Sequence, residues 1–551
     1  MTAFPGISPG PSHAPGRPFR RWSNAGLLAL CVVIAGTASI GRGQDANWDL
    51  QNYHFYVPWA LRQGRLLSWD IAAAQLQTYH NPALDLVFQA MVALDWPPPL
   101  VAFVLSIPAG IGAYFLARII RLLFRGNAGA GRSLLPVAAF AIGITGAVGF
   151  AVLGTTMNEW PAAMLTLAAL WLLLRAIVAL PEAALPVRPL VAAGIVLGLA
   201  SGLKLTAATY ALGMAIALLC RRPQWRDWRA AVREAGIFGI GVVGGLAVSI
   251  GWWWLTLWSH FGNPLFPYAN EWFRSPWWYD VSVLGRAYGP HDIGEWLAFP
   301  YDLFRAKPFF VAEVLFRDAR MPTIYTLALT TGAVSVAAYL ALPSARRRAR
   351  TPRASAAPWY FVGFFWLASF LLWTEQYSIY RYLLPLELLS GALIVGLVRQ
   401  LVRTRALPVV VTILALTIIG TTRWPDWGHV DFGDRWFEVG LPPVAPDALV
   451  LLASDAPMAY LLPYLPASAR HVGAYNNIIR PGQETGLAEW VARTIREHPG
   501  PIYALTHSDA MAQIVYDAHG LTPVPGGCAK VRTNIRSERV ELCRLERSGV
   551  R

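Results

Sequence analysis

Charged residues are scarce in this 551-residue chain, at 14% of the total, whereas hydrophobic residues make up 55%. Soluble globular proteins contain about 25% charged residues, so this composition excludes a soluble chain. Long apolar runs account for the imbalance, and eleven of them approach the ~20 residues that cross a ~30 Å hydrocarbon core. The runs lie at about 24–40, 98–117, 133–153, 157–178, 189–203, 205–220, 235–258, 323–342, 358–373, 382–398 and 406–421.

Lysine is rarer still, with only three (Lys204, Lys307 and Lys530) among 46 basic residues. The net charge of +14 alone would suit nucleic-acid binding, but the arginines are concentrated in the segments that connect the predicted spans on one side of the membrane. With the basic N-terminus inside, short inside segments carry 22 basic residues and the outside turns before residue 421 carry 11. This bias orients helices in a membrane. We therefore expect membrane lipids rather than nucleic acid as surroundings, in a bacterial inner (plasma) membrane with a cytoplasmic N-terminus.

Cysteine is the next scarce residue, at four. Cys31 and Cys220 fall in apolar runs and are interpreted as packing residues. Cys528 and Cys543 lie in the C-terminal region, which the topology places outside, where a disulfide could persist. The sequence leaves open whether they are bridged. The first apolar run could also be a cleaved signal peptide, but its basic flank fits an uncleaved helix better.

Three regions divide the chain. Residues 1–23 form a Pro-rich cytoplasmic tail, and residues 24–421 form a transmembrane domain with outer loops at about 41–97 and 259–322. Residues 422–551 alternate predicted strands and helices, which favours a small extracytoplasmic α/β domain. That domain shows neither a Gly-rich phosphate loop nor metal-ligand spacing. The predicted fold is thus an α-helical polytopic membrane protein of about eleven helices with a small outer α/β domain.

Ionisable and amide side chains at the outer membrane boundary are costly and mark functional sites by default. Five segments carry them, and all fall on one side of the membrane under the arginine-derived topology. The candidates are Asp45 and Asp49, Glu159, Lys204, Asn263, and Glu375 with Arg381.

Each candidate has a structural alternative. Asp49 and Glu159 could simply be solvated, and Lys204 could extend to the lipid headgroups. Arg381 could anchor a lipid or pair with Glu375, and Asn263 suits a turn. Their shared side of the membrane is the reason to consider them together.

Together these residue types suit group transfer from a lipid phosphate. A carboxylate can take the proton of an acceptor hydroxyl as a general base. Arginine and lysine can hold a phosphate leaving group as its charge develops. The donor must be membrane-borne, because soluble nucleotide sugars are not available outside the cytoplasm. One displacement at a sugar carbon, with the acceptor entering opposite the phosphate, would invert the anomeric centre.

The layout resembles the GT-C superfamily of integral membrane glycosyltransferases, which includes protein O-mannosyltransferases and lipid A aminoarabinose transferases. The family's first-loop pattern is matched by Asp49, Tyr53, Ala60 and Gly64. A second acidic site after the third helix is matched by Glu159, and a late motif by residues 381–385, Arg-Tyr-Leu-Leu-Pro. Across residues 24–400 the resemblance implies Asp49 as base, Glu159 as a second acidic site and Arg381 as a donor-phosphate ligand.

The chain departs from the family at two places. Leu50 follows Asp49 where a glutamate is common, and residues 79–82, Tyr-His-Asn-Pro, replace a Lys-Pro-Pro-like element. Lys204 or His80 could supply the missing phosphate contact. The remaining polar side chains are assigned to the sugar or acceptor, and these are Tyr53, His54, Glu375 and Asn263.

A divalent metal, Mg or Mn, is possible but undetermined, because some members of the superfamily use one and Asp45, Asp49 and Glu159 could serve as ligands. The predicted function is transfer of a sugar from a polyprenyl-phosphate donor to a hydroxyl of a lipid, glycan or protein on the outer face. The alternative is a transporter or flippase of a lipid-linked or amphipathic solute. A non-catalytic scaffold is a third interpretation.

Overall fold

The structure is a computed structural model of the whole chain, and it describes residues 23–125, 133–181, 183–221, 227–281, 288–305, 311–341, 356–535 and 539–548. The Pro-rich tail, apart from Ser23, therefore lies outside the described residues. So do the predicted inside arginines Arg132, Arg222, Arg226, Arg346, Arg347, Arg348, Arg350 and Arg353. The division into three domains stays a prediction.

Helices dominate residues 24–421. They are α1 (Asn24–Ile40), α2 (Tyr56–Arg62), α3 (Asp85–Ala93), α4 (Pro98–Leu105), α5 (Ile107–Leu123), α6 (Leu134–Ile144), α7 (Ala147–Ala151), α8 (Glu159–Ala179), α9 (Val187–Leu203), α10 (Ala208–Cys220), α11 (Trp228–Phe261), α12 (Asn270–Phe273), α13 (Ile293–Asp302), α14 (Arg320–Ala341), α15 (Ala357–Gln376), α16 (Leu384–Leu401) and α17 (Leu407–Thr421).

The polytopic helical fold predicted from the apolar runs is confirmed. Six described helical segments are long and apolar enough to cross a membrane, and five further apolar helices are shorter. Each predicted run contains or overlaps one of these segments. The predicted run 133–153 is broken, because α6 ends at Ile144 and the short α7 begins at Ala147. The predicted division of residues 189–220 into two apolar segments is confirmed, since α9 ends at Leu203 and Lys204 follows it.

Close packing of α9 against α11 fixes where Lys204 emerges. Gly194 and Gly198 of α9 face Gly241 and Gly245 of α11, and a Cβ added at Gly198 would lie 2.2 Å from the Val242 carbonyl oxygen. Small residues let two membrane helices approach this closely. The end of α9 is therefore held rigidly beside α11.

Residues after Thr421 contain the predicted sheet domain. Its strands are β3 (Val439–Gly440), β4 (Leu449–Ala453), β5 (Arg470–Tyr475), β6 (Ile502–Thr506), β7 (Leu521–Thr533) and β8 (Val540–Arg547), and its helices are α18 (Gly486–Glu497) and α19 (Asp509–His519). The strand order is β3-β7-β8-β6-β4-β5, with β4 parallel to β5 and β6. The last two strands are longer than the short strands expected, and Cys528 and Cys543 bridge them in a disulfide.

Three contacts join the first outer loop to the residues after Thr421. Strand β1 (Gln44–Asp45) pairs with β2 (His429–Val430), and Ile71 bridges Val472 on the edge strand β5. Between these points the buried carboxylate of Asp70 accepts hydrogen bonds from Arg65 and from the backbone N–H of His471. The loop that carries the candidate base is therefore fixed to the sheet domain.

Candidate active site at the helix ends

Asp49 lies directly before a single π-helical turn, Leu50–His54. Such turns are rare and are frequent at functional sites. The aspartate is 7% exposed. Burial would raise the pKa of its carboxyl, but Arg381, His54 and Lys204 together hold that pKa below its usual range. Asp49 is therefore an ionised carboxylate paired with the Arg381 guanidinium.

Arg381 supplies the main partner of Asp49. It lies in a 3₁₀ turn, Tyr380–Leu383, that leads into α16, and its guanidinium donates a hydrogen bond to the Asp49 carboxylate. The preceding Tyr380 is buried and donates its hydroxyl to Asp318 at 2.7 Å, while Asp318 pairs with Arg320 at 2.9 Å. This buried network anchors the turn and so fixes the position of Arg381.

Lys204 and Glu159 form a second ion pair beside the first. The Lys204 ammonium lies 2.6 Å from the Glu159 carboxylate and 2.6 Å from the Met157 carbonyl oxygen, to both of which it donates. It also lies 5.3 Å from the centre of the Tyr382 ring, and the Arg381 guanidinium lies 5.3 Å from the same ring. Both cations therefore lie within cation–π distance of one aromatic ring.

A small, partly open cavity lies between these groups. One part of its wall is charged, formed by Lys204, Arg381 and Glu159. The other part is largely apolar and comes from the surrounding helix ends, and it consists of Ala162, Thr206, Ala207, Tyr210, Tyr382, Leu384 and Pro385. Two cations above an apolar wall suit a molecule that has an anionic head and a hydrocarbon tail.

His54 follows Asp49 by five residues and contacts a neighbour that the sequence did not reveal. Its Nδ1 lies 2.8 Å from the Asp85 carboxylate, which also accepts a hydrogen bond from Asn158 at 2.8 Å. Asn158 adopts the left-handed conformation, φ 65°, directly before α8. The π turn, α3 and the start of α8 are therefore joined behind the candidate base.

Tyr53 and His80 complete the polar wall on the loop side. Their rings lie 5.6 Å apart, and His80 Nε2 lies 2.9 Å from the hydroxyl of Tyr268 in the second outer loop. Burial lowers the pKa of His80 to about 4, and burial with Asp49 and Asp85 raises the pKa of Tyr53 well above its usual range. Both side chains are neutral near pH 7 and offer hydrogen bonds rather than charge.

The other predicted candidates lie at the margin of this cluster. The Asp45 carboxylate accepts hydrogen bonds from Asn47 and from the backbone and hydroxyl of Thr156. Asn263 is buried and holds the turn after α11 through Asn270 and the Tyr268 carbonyl. Glu375 is exposed near the end of α15. Roles in catalysis or ligand binding for these three stay predictions.

Three buried polar atoms of the cluster have no hydrogen-bond partner among the described residues. They are His54 Nε2, Glu159 Oε2 and Arg381 Nε. Buried polar atoms are nearly always paired. A polar ligand bound in this cluster would supply partners for all three atoms.

Comparison with known proteins gives likenesses of structure. No family model matches the chain, and no curated protein matches it. Its structure is similar to ArnT from Cupriavidus metallidurans bound to undecaprenyl phosphate, with 12% identity, a TM-score of 0.46, and coverage of 94% of this chain and 97% of that one. It is also similar to the Archaeoglobus fulgidus oligosaccharyltransferase in complex with Zn and sulfate, with 12% identity, a TM-score of 0.42, and coverage of 89% and 70%.

Both likenesses are of structure, at low sequence identity. Because both TM-scores lie below 0.5, the function proposed for this chain rests on its own side chains. Within the described residues, no group of three or more His, Cys, Asp or Glu side chains is placed to hold a metal ion. The carboxylates of Asp45, Asp49 and Glu159 each accept a hydrogen bond from a neighbouring side chain.

Proposed function

We propose that this protein transfers a sugar from a polyprenyl-phosphate donor to an acceptor hydroxyl at the outer face of a bacterial inner membrane. The observation that carries the proposal is the juxtaposition of the Asp49 carboxylate with a cavity lined by Arg381 and Lys204. This arrangement supports a base acting next to a bound anionic lipid headgroup.

The donor phosphate is assigned to Arg381 and Lys204. Arginine binds phosphate oxygens in a bidentate manner and lysine acts as a compact point charge. Arg381 Nε is buried and has no described partner, so part of its guanidinium remains available beside the Asp49 bond. The apolar wall formed by Ala207, Leu384 and Pro385 suits the first isoprene units of the chain.

Asp49 is assigned as the general base. Without donor, Arg381 is hydrogen-bonded to Asp49 and lowers the pKa of the Asp49 carboxyl. Asp49 is therefore a weak base in this state. A phosphate that takes the guanidinium from Asp49 removes this effect and raises the basicity of the carboxylate. Donor binding and activation of the base are thereby coupled.

The reaction is one displacement. The acceptor oxygen forms a bond to the anomeric carbon while its proton passes to Asp49. The bond between that carbon and the phosphate oxygen breaks, and the electron pair stays on the phosphate, where Arg381 and Lys204 stabilise the added charge. Attack from the side opposite the phosphate inverts the configuration.

The remaining candidates take supporting roles. Glu159 orients Lys204 through their 2.6 Å contact, and Asp45 holds the first loop to Thr156. Tyr53 and His80 are neutral donors and acceptors suited to sugar hydroxyls. The acceptor, whether lipid, glycan or protein, enters from the side of the outer loops and the extracytoplasmic sheet domain.

A transporter or flippase is the alternative. Transporters of the alternating-access type bind their solutes near the membrane midplane. Here the paired charges of Asp49, Glu159, Lys204 and Arg381 gather where helices begin or end, next to the first outer loop. This placement favours chemistry at one face.

Turnover tests the proposal. Purified protein in proteoliposomes, supplied with a synthetic polyprenyl-phosphate sugar, should release polyprenyl phosphate and either free or transferred sugar, and Asp49→Asn should stop the release. Asp431→Asn, an exposed aspartate on the sheet-domain side, is the matched control and should behave as wild type. Equal release by wild type and Asp49→Asn would refute the assignment. Solute movement across the bilayer without donor cleavage would favour the transporter.

A further inference from the structure

His54 has an unusual combination of contacts. Its side chain is 1% exposed, Nδ1 lies 2.8 Å from the Asp85 carboxylate, and Nε2 is buried without a partner among the described residues. An ionised carboxylate only accepts hydrogen bonds, so Nδ1 carries the proton that faces Asp85, and Nε2 is the position at which the ring gains or loses a proton. The structure thus presents a buried and unused proton acceptor.

The π turn places His54 one turn after Asp49. A π-helix joins residue i to residue i+5, and His54 is the fifth residue after Asp49. The other titratable or charged groups facing the pair are Tyr53 on the same turn, His80 from the loop, Asp85 from α3, and Lys204 and Arg381 from the helix ends.

We infer that His54 receives the acceptor's proton from Asp49 after glycosyl transfer, with Asp85 holding the ring in the required tautomer. The O–H bond of protonated Asp49 breaks, an N–H bond forms at Nε2, and Asp49 returns to a carboxylate. His54 becomes an imidazolium paired with Asp85 and later releases the proton to water. This step rests on the proposed function and assigns His54 a role other than contact with the sugar.

Asp85 and Asn158 are positioning residues that orient the His54 ring. Asn158 donates to the same Asp85 oxygen that His54 contacts, so that oxygen is fixed from two sides. The left-handed backbone of Asn158 directs its amide there from the start of α8. Loss of Asp85 should therefore act through the orientation of His54.

Steady-state kinetics on the full-length protein test the inference. His54→Gln should lower kcat about 100-fold, within the range for a positioned proton acceptor, and leave KM for the donor within about twofold. Asp85→Asn should lower kcat less, and the double variant should equal His54→Gln because both act on one step. Added imidazole should restore part of the kcat of His54→Ala. His260→Gln, at an exposed histidine, is the matched control.

The outcomes separate this inference from the proposed function. If wild-type protein does not cleave the donor, the proposed function fails. If wild type turns over and His54→Gln matches it, only the role of His54 fails. A rise in KM with unchanged kcat would assign His54 to sugar binding and overturn the inference. Unchanged thermal unfolding of Asp85→Asn and His54→Gln would confirm that the kinetic loss is not a folding defect.

Discussion

Arg381 donates a hydrogen bond to Asp49 across 332 residues of sequence. The pair joins the turn before α16 to the first outer loop, at the edge of a cavity that also exposes Lys204. The same guanidinium is the proposed ligand of the donor phosphate. Asp49 and a donor phosphate should therefore compete for Arg381. Removing the Asp49 carboxylate should then increase the affinity for the donor and decrease turnover.

Asp49→Asn should lose turnover and gain donor affinity. Removing a positioned base costs about 10²–10⁴-fold in rate, whereas a neutral amide no longer holds Arg381 against the phosphate. Titration with polyprenyl phosphate should show binding that is several-fold tighter than in wild type. Weaker binding would mean that Asp49 helps to hold the donor and would contradict the competition.

Arg381→Lys should weaken donor binding about ten- to hundredfold, although it keeps the positive charge. A hydrogen bond to a charged group contributes about 1.5–3 kcal/mol, and lysine cannot reproduce a bidentate contact. Titration with polyprenyl phosphate measures the loss, and Arg435→Lys at an exposed arginine is the control. Wild-type affinity in Arg381→Lys would show that charge alone is recognised.

Lys204→Met should destabilise the protein as well as weaken donor binding. Glu159 is 3% exposed, and removing one partner of a buried pair costs about 3–5 kcal/mol. The double change Lys204→Met with Glu159→Gln should recover most of the stability in thermal unfolding while donor affinity stays low. If affinity recovers together with stability, Lys204 has only a structural role.

The buried Asp70 carboxylate should make the stability of the folded protein depend on pH. Burial alone would raise its pKa, but His471 and Arg65 lower it to about 2, below the ordinary 3.8 or so. Ionised Asp70 therefore contributes about 2 kcal/mol above pH 4, and this contribution disappears as the pH falls to 2. The difference in unfolding temperature between wild type and Asp70→Asn should shrink over that interval. A difference that is constant between pH 6 and pH 2 would contradict this cause.

Local patterns in the sequence predicted much of the fold and part of the site. The lengths of the apolar runs predicted the membrane helices. The distribution of arginines predicted that Asp49, Glu159, Lys204 and Arg381 share one side of the membrane, and the structure brings these four side chains together. The disulfide between Cys528 and Cys543, which the sequence left open, is present.

Partners that depend on tertiary folding were missed. Asp85 follows an ordinary loop and has no local motif, yet it meets His54 31 residues earlier. Asp70 and His471 are 401 residues apart, and only folding brings the outer loop onto strand β5. The pairing of Lys204 with Glu159 likewise depends on how α8 and α9 pack, which the sequence does not reveal.

The most direct test of the central claim is an experimental structure of the protein with polyprenyl phosphate bound. We predict that the phosphate contacts Arg381 and Lys204 in the cavity, with its lipid chain along Ala207, Leu384 and Pro385 and with the hydrogen bond between Arg381 and Asp49 opened. A phosphate bound elsewhere, with that hydrogen bond intact and the cavity without lipid, would contradict the account.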